Sequence, residues 1–329
     1  MRPDDARGII VGIDEAGYGP LLGPYVLGIS FFAYRGEGSV GAAPHAFWKD
    51  LAGAVSLKRA RNRIAIADSK TLYSRAGGFA VLEESVLALL AGRGTRPASL
   101  RELLAALGAR AEALDRYPWY RGRDVPLPAA AFKPVIEAHA ARLARCQERS
   151  AFEFRGLRAR VVTEGEFNEL VGRIGNKAAF GLECIGAALR RIFSRSGGGE
   201  VLALVDRQGG RTRYGRFLWK ALSPRRVAVI VESEERSAYR VEGADGAVMT
   251  VHFTVEGEKG ALPVALASMA AKYLRELHMG LLNRYFSEKV GPELKPTAGY
   301  AKDARRFLAD IEGACSGREF PLELLVRQR

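Results

Sequence analysis

The chain has 329 residues, 48% of them hydrophobic, enough for one large domain or about two ordinary ones with an ample core. Lysine and arginine number 50 against 37 acids, a net charge of +13, and the pI near 9.8 points to a polyanionic partner, nucleic acid before an acidic membrane surface. Three scattered cysteines (Cys146, Cys184, Cys315) and four histidines in no common motif exclude a disulfide framework and a structural zinc site, and predict reduced thiols in a cytoplasmic protein. No apolar run is long enough for a bilayer, so no membrane role is expected, and the opening MRPDDARG lacks a signal-peptide core.

In chain order, residues 8–14 and 24–34 read as two strands joined by a glycine turn. A short helix is expected over 45–54, then a basic stretch from Lys58 to Arg63 leading into IAIADSKTL, 64–72. Residues 75–92 place Leu82, Val86, Leu89 and Leu90 on one helical face. The segment 93–130 differs in character: a breaker, an amphipathic helix over 99–114, and the loop YPWYRGRDVPLP, 117–128. It reads as a helical insertion or lid whose Tyr117, Trp119, Tyr120, Arg121 and Arg123 either stack on bases and grip phosphates or plug the core. A helix over 134–150 and a strand near 157–163 follow. Thr163 and Glu166 have capping-box spacing ahead of a helical region reaching about 194 that carries Asn168 and Lys177. After Gly197-Gly198-Gly199 come strands at 201–206 and 226–235, one or two more within 238–255, a long helix over 263–286 starting at Pro263, and a last helix near 302–312. Strands first, then alternating helix and strand, predict an α/β domain with a mixed central β-sheet flanked by helices.

The chemistry concentrates at GIDEAGYGPLLGP, residues 12–24. Asp14 and Glu15 end an apolar strand, where one of the two must point inward at a cost of several kcal/mol if unpaired. The glycines that follow allow a tight turn and close approach of a ligand. Acids at a strand end before such a turn suit a cation site open to a polyanion. Asp206 likewise ends a buried strand, where α/β sheets place ligand groups. Ser268, Lys272 and Glu276 recur every four residues on the long helix and share one stripe, among alanines that let it lie close to a sheet. By spacing alone, Lys272 and Glu276 are a surface ion pair.

Taken together these segments resemble the type 2 ribonucleases H, the ribonuclease HII group. The matching segments are GIDEAGYGPLLGP (12–24), ADSKTL (67–72), VLALVD (201–206) and ASMAAKYLRE (267–276), in the family's order, with AGYAKDARRFL (298–308) similar to a further family segment. The resemblance covers about two-thirds of the chain. It implies a ribonuclease H-like fold made of residues 1–92 and 131–295, with 296–329 as a C-terminal substrate-binding segment. It implies a divalent-metal-dependent endonuclease that cuts the RNA strand of RNA–DNA hybrids and leaves a 3′-hydroxyl and a 5′-phosphate. Asp14, Glu15, Asp206 and Glu276 would be the catalytic acids holding two Mg²⁺ or Mn²⁺ ions. Gly17, Tyr18, Gly19, Lys70, Lys272 and Tyr300 would contact the substrate. The chain departs from the family pattern at Tyr18, where the family has arginine, so reading of a single embedded ribonucleotide is in question. It departs at Glu276 in place of aspartate, and at Arg207 in place of glycine, which adds a cation beside the site. The alternatives are a nuclease of this fold with a shifted target, structured DNA or plain RNA, and a non-catalytic nucleic-acid-binding protein.

Overall fold

The two apolar segments flanking the glycine turn pair as an antiparallel hairpin, β1 (Gly8–Ala16) with β2 (Tyr25–Tyr34), so that Ala16 faces Val26 at the turn end. The computed structural model describes residues 6–41, 46–74, 77–312 and 321–328; His45 at the start of the expected 45–54 helix, the first two residues of the expected 75–92 helix, and residues 313–320 of the C-terminal segment with Cys315 lie outside them. Two short strands, β3 (Val55–Ser56) and β4 (Ile64–Ala65), form a separate parallel pair. Strands β5 (Phe152–Val162), β6 (Glu200–Asp206), β7 (Arg226–Glu232), β8 (Arg236–Glu242) and β9 (Val248–Thr254) complete a seven-stranded sheet in the order β5-β2-β1-β6-β9-β8-β7. The β1–β6 and β6–β9 pairs are parallel and the rest antiparallel, the expected mixed sheet.

Helices α1 (Phe47–Asp50), α2 (Ser69–Tyr73), α3 (Gly78–Gly92), α4 (Leu100–Ala106), α5 (Lys133–Gln147), α6 (Glu164–Ile174), α7 (Lys177–Phe193), α8 (Gly215–Leu222), α9 (Gly257–Gly260), α10 (Leu262–Val290), α11 (Ala301–Glu312) and α12 (Leu322–Leu325) cover it. Alternation along the strands sorts the core into two layers. Ile10, Leu202 and Leu204 face α10 and α3, whereas Val11, Ile13, Val201, Ala203 and Val205 face α6, α7 and α8. Helix α10 lies close on β1 because Gly12 has no side chain: a Cβ there would stand 2.1 Å from the Pro263 carbonyl oxygen. Among the described residues no helix is long and apolar enough to cross a membrane.

Three expectations are corrected. The helical region after Thr163 is two helices, because α6 stops at Gly175 and the Asn176 side chain caps α7 by accepting from the Ala179 amide at 2.7 Å. Thr163 makes no capping bond; its hydroxyl donates to the Tyr117 hydroxyl at 2.7 Å, and Glu166 pairs with Arg160. The 99–114 helix stops at Ala106 and the chain resumes as a short 3-10 turn over Glu112–Arg116.

The 93–130 segment shares the main core. Leu100, Leu103, Leu104, Leu107, Leu114, Tyr117, Trp119 and Tyr120 are each at most 2% exposed, and Trp119 stacks on Phe286 with ring centroids 6.1 Å apart. Arg123 pairs with Glu288 at 2.6 Å, and Arg121 donates to the Asp115 carbonyl at 2.6 Å. The aromatic loop is therefore the plug, with no free ring faces at Tyr117, Trp119 or Tyr120 on which a base could stack.

Candidate active site

Strands β1 and β6 run parallel and end side by side in the middle of the sheet, which brings Asp14, Glu15 and Asp206 together at the ends of its central strands. Asp14 is 4% exposed; its Oδ1 accepts from the Glu15 amide at 2.7 Å. Burial first, then the charges of Glu15, Asp206 and Glu258, push its carboxyl well above the usual range, and the Ser268 hydroxyl offsets part of this. Burial likewise pushes Glu15 up to about 7, with the Gln208 amide opposing and Asp206 adding. Asp206 rises to about 6 through burial and the charge of Glu258, against the Gly257 N–H, which donates to its Oδ1 at 2.8 Å. Carboxylates held this close, and poorly solvated, hold protons or a cation.

The fourth acid of the cluster is Glu258, which the sequence reading missed. It sits 6% exposed on the one-turn helix α9, directly after β9, the strand that flanks β6. Its carboxylate accepts from the Ser268 hydroxyl at 3.2 Å and faces Lys70 Nζ at 3.7 Å. Ser268 also bonds Ser69 at 2.9 Å, so the segment carrying Lys70 is tied to α10 beneath the acids. An acid just past the end of a strand was visible in TVEGEKG; which strand lies next to β6 was not. Glu276 is not brought to the cluster. It follows Ser268 by eight residues, about 12 Å along the helix axis, and there accepts from the Tyr73 hydroxyl at 2.8 Å and pairs with Lys272 at 2.6 Å. Lys272 spans Glu276 and the Tyr73 ring, 4.4 Å from its centroid, and is 15% exposed at the side chain. The plain ion-pair reading of these two residues is the one their geometry follows.

Arg207 is also placed elsewhere. Its guanidinium donates to the Ser233 carbonyl at 2.9 Å, to the Ser237 hydroxyl at 3.0 Å and to the Glu234 carbonyl, so it ties down the β7–β8 turn rather than adding a cation beside the acids. The next residue, Gln208, stands beside Glu15 and the buried Tyr25 hydroxyl, and its amide opposes the upward push of burial on both. Lys70 does reach the acids, and its side chain is 84% exposed; the charges of Glu258, Asp14 and Asp206 all raise its pKa.

The glycine turn is clamped from behind by two arginines. Gly17 has φ +83°, and a Cβ there would meet the Pro24 carbonyl oxygen at 2.4 Å, so only glycine fits. Arg327, 1% exposed, donates to the carbonyls of Gly17 at 2.6 Å, Tyr18 at 3.0 Å and Gly23 at 3.3 Å, and lies 4.1 Å over the Phe167 ring. Burial lowers its pKa to about 10. Arg275 donates to the carbonyls of Ala298 at 2.8 Å and Leu22 at 3.3 Å and lies 5.7 Å from the Tyr300 ring centroid. Asn168 fastens the tail that carries Arg327 through the Val326 and Glu323 carbonyls and the Gln328 amide. Gly19 and half-buried Tyr18 form the outer side of the turn, with Lys177 Nζ 4.9 Å over the Tyr18 ring; Tyr300 is 52% exposed nearby in contact with Arg275.

The raised carboxyls make stability fall with pH. In the metal-free fold Glu15 and the buried Glu164 titrate near 7 and Asp206 near 6, above their unfolded values of 4.5, 4.5 and 3.8. Each binds a proton in the folded chain where the unfolded chain has lost it. Their contribution is complete below about pH 4 and disappears as pH rises through 6 to 7. His278, pushed down to about 4 by burial, acts in the opposite direction below about pH 6.5. Calorimetry in chelator is expected to show the melting temperature falling from pH 5.5 to pH 8, and Glu164→Gln is expected to flatten the slope. A melting temperature that climbs over this range would refute the assignment of these carboxyls.

No family model and no curated protein matches the chain. Among solved structures it is similar to the RNase HII of Archaeoglobus fulgidus, determined in complex with PCNA, at 18% identity over 98% of this chain and 94% of that one, with a TM-score of 0.43. It is similar to the ribonuclease H2 of Pyrococcus horikoshii OT3 at 15% identity over 96% and 92% of the two chains, TM-score 0.40. To Aquifex aeolicus RNase H3 the figures are 13% identity, 98% and 72%, and 0.38.

Proposed function

We propose that this protein is a divalent-metal-dependent endoribonuclease that cuts the RNA strand of RNA–DNA hybrids, leaving a 3′-hydroxyl and a 5′-phosphate. One observation carries the reading: Asp14, Glu15, Asp206 and Glu258 interact at the adjoining ends of β1, β6 and β9, and burial and mutual repulsion raise the first three. A phosphate-binding surface gains nothing from four acids unless a cation sits between. The donors are all hard carboxylate oxygens, which suit Mg²⁺ or Mn²⁺. Among the described residues no group of three or more such side chains is placed to hold a metal ion; Mg²⁺ and Mn²⁺ keep several waters and take substrate phosphate as a ligand. When bound, such ions supply an activated water and stabilise the leaving oxygen.

The chain's own groups divide the remaining work. Lys70, exposed beside the acids, takes a phosphate next to the scissile one. The Gly17–Gly19 turn, held rigid by Arg327, offers backbone to the sugar edge of the cleaved strand, and the half-exposed Tyr300 ring packs against a neighbouring sugar. The motifs at 12–24 and 67–72 support these roles.

Tyr18 favours one second reading, a nuclease of the same chemistry with a shifted target. Where the ribonuclease HII pattern that this chain resembles has arginine, this chain presents a phenol ring with Lys177 stacked on it. Purified protein with Mg²⁺ or Mn²⁺ is expected to cut a full RNA–DNA hybrid and to cut DNA carrying one ribonucleotide far more slowly. Equal cutting of both would mean that the turn backbone suffices for junction reading. Cutting of plain RNA or branched DNA, with the hybrid spared, would replace the first reading with the second.

A further inference from the structure

The strongest unassigned surface lies on α8 and the segments flanking it. Between Asp206 and Glu232 there is no acid, yet Arg211, Arg213, Arg216, Lys220, Arg225 and Arg226 are all exposed. Arg213 stands 3.8 Å from Glu232, and no ion pair involving the other five is seen among the described residues. In the middle of these cations is Trp219, 54% exposed. Arg216, Trp219 and Lys220 share one face of the helix by their i, i+3 and i+4 spacing, while Leu218, Ala221 and Leu222 on the other face bury against the sheet and anchor it. Arg190 fastens the helix end by donating to the Ala221 carbonyl at 2.6 Å.

An unpaired cluster of like charges costs stability that a polyanion would recover, and phosphates alone would account for the cations. They do not account for a large apolar ring held out among them. A duplex hides its base faces in the stack, whereas an unpaired base offers a flat surface that stacks on an aromatic ring. The basic run starts at Arg211, five residues after Asp206 and so within about 18 Å of it along the chain. From this juxtaposition we infer that α8 is a binding surface for single-stranded nucleic acid, with Trp219 as the stacking platform and Arg216 and Lys220 as phosphate contacts, receiving an unpaired strand that leaves the duplex bound at the acidic cluster. The location of that duplex rests on the proposed function; the single-strand surface does not.

The test is therefore made without cleavage, on Asp14→Asn protein in chelator. The probe is a fluorescein-labelled oligothymidylate of about 15 nucleotides, followed by anisotropy, with a blunt DNA duplex and polyglutamate as competitors. Trp219→Ala is expected to weaken binding about tenfold, and Trp219→Phe to keep most of it. Arg216→Gln with Lys220→Gln is expected to lower the slope of log affinity against log salt by about 1.4. Indole fluorescence is expected to be quenched by the oligonucleotide and not in Trp219→Phe, since Trp119 is buried and the Trp48 indole donates to the Gly260 carbonyl. Affinity unchanged in Trp219→Ala, or a blunt duplex competing as well as the single strand, would overturn the inference. Displacement by polyglutamate at equal charge would overturn it in favour of an acidic protein partner. None of these readouts depends on whether hybrids are cut.

Discussion

Asp14→Asn and Glu258→Gln are expected to remove cleavage activity, whereas Glu276→Gln is expected to keep it. A metal-held water and leaving group are worth several kcal/mol, and each 1.36 kcal/mol is a factor of ten in rate. Losing the buried Asp14 should therefore cost on the order of 1,000-fold, and losing Glu258 about 100-fold, if both hold the ions as proposed. The metal-free Asp14→Asn protein should melt higher than the parent, because a buried carboxyl repelled by Glu15, Asp206 and Glu258 is replaced by a neutral amide. A Mg²⁺-induced rise in melting temperature should disappear with it. Glu276→Gln retains an acceptor for Tyr73 and loses the Lys272 pair, a cost of about 1 kcal/mol in stability. Single-turnover rates on a hybrid, with melting curves in chelator and in Mg²⁺, check all three. If Glu276→Gln were the inactive variant and Glu258→Gln the active one, the assignment of the fourth acid would be reversed.

Arg327→Ala is expected to damage both stability and the approach of substrate, although Arg327 is 310 residues from Gly17 in the chain. Its removal leaves the Gly17, Tyr18 and Gly23 carbonyls without their donor and opens a space over Phe167. Breaking a buried, charge-assisted set of this kind costs about 3 kcal/mol or more. Burial pushes the Glu164 carboxyl up and the charge of Arg327 opposes this, so the loss of Arg327 should push that carboxyl further up. Arg327→Lys should recover part of the stability, since an ammonium has donors but lacks the planar fork that spans three carbonyls. With the braced turn meeting the substrate as proposed, KM for a hybrid should rise more in Arg327→Ala than in a core variant of equal destabilisation such as Leu189→Ala. Equal KM values in these two variants would reduce Arg327 to a structural role.

Some of this was legible in the sequence because it depends on local pattern. The strand at 8–14, the glycine turn, the strand ending at Asp206 and the helix beginning at Pro263 are set by period, β-branching and proline or glycine punctuation over a few residues. Asp14, Glu15 and Asp206 were found because acids at the ends of apolar strands contradict that pattern. Glu276 was grouped with them by the resemblance alone; spacing fixes which residues share a helix stripe, not how far along the stripe a partner strand reaches. The helix runs on past the strand ends, and Glu276 goes with it. Glu258 and Arg327 were decided only by tertiary structure. Glu258 joins the acids because β9 happens to pair with β6, and Arg327 reaches the turn because α12 packs against α6; such long-range pairings follow from burying shared apolar faces. The fate of Tyr117, Trp119 and Tyr120 was settled the same way. Aromatic rings among arginines fit a nucleic-acid surface or a core plug equally well by composition, and only the apolar space beside Phe286 chose the plug. The amino-acid sequence by itself determined the chemistry at the strand ends; the packing of distant segments decided which charges share that site and which turn to hold the fold.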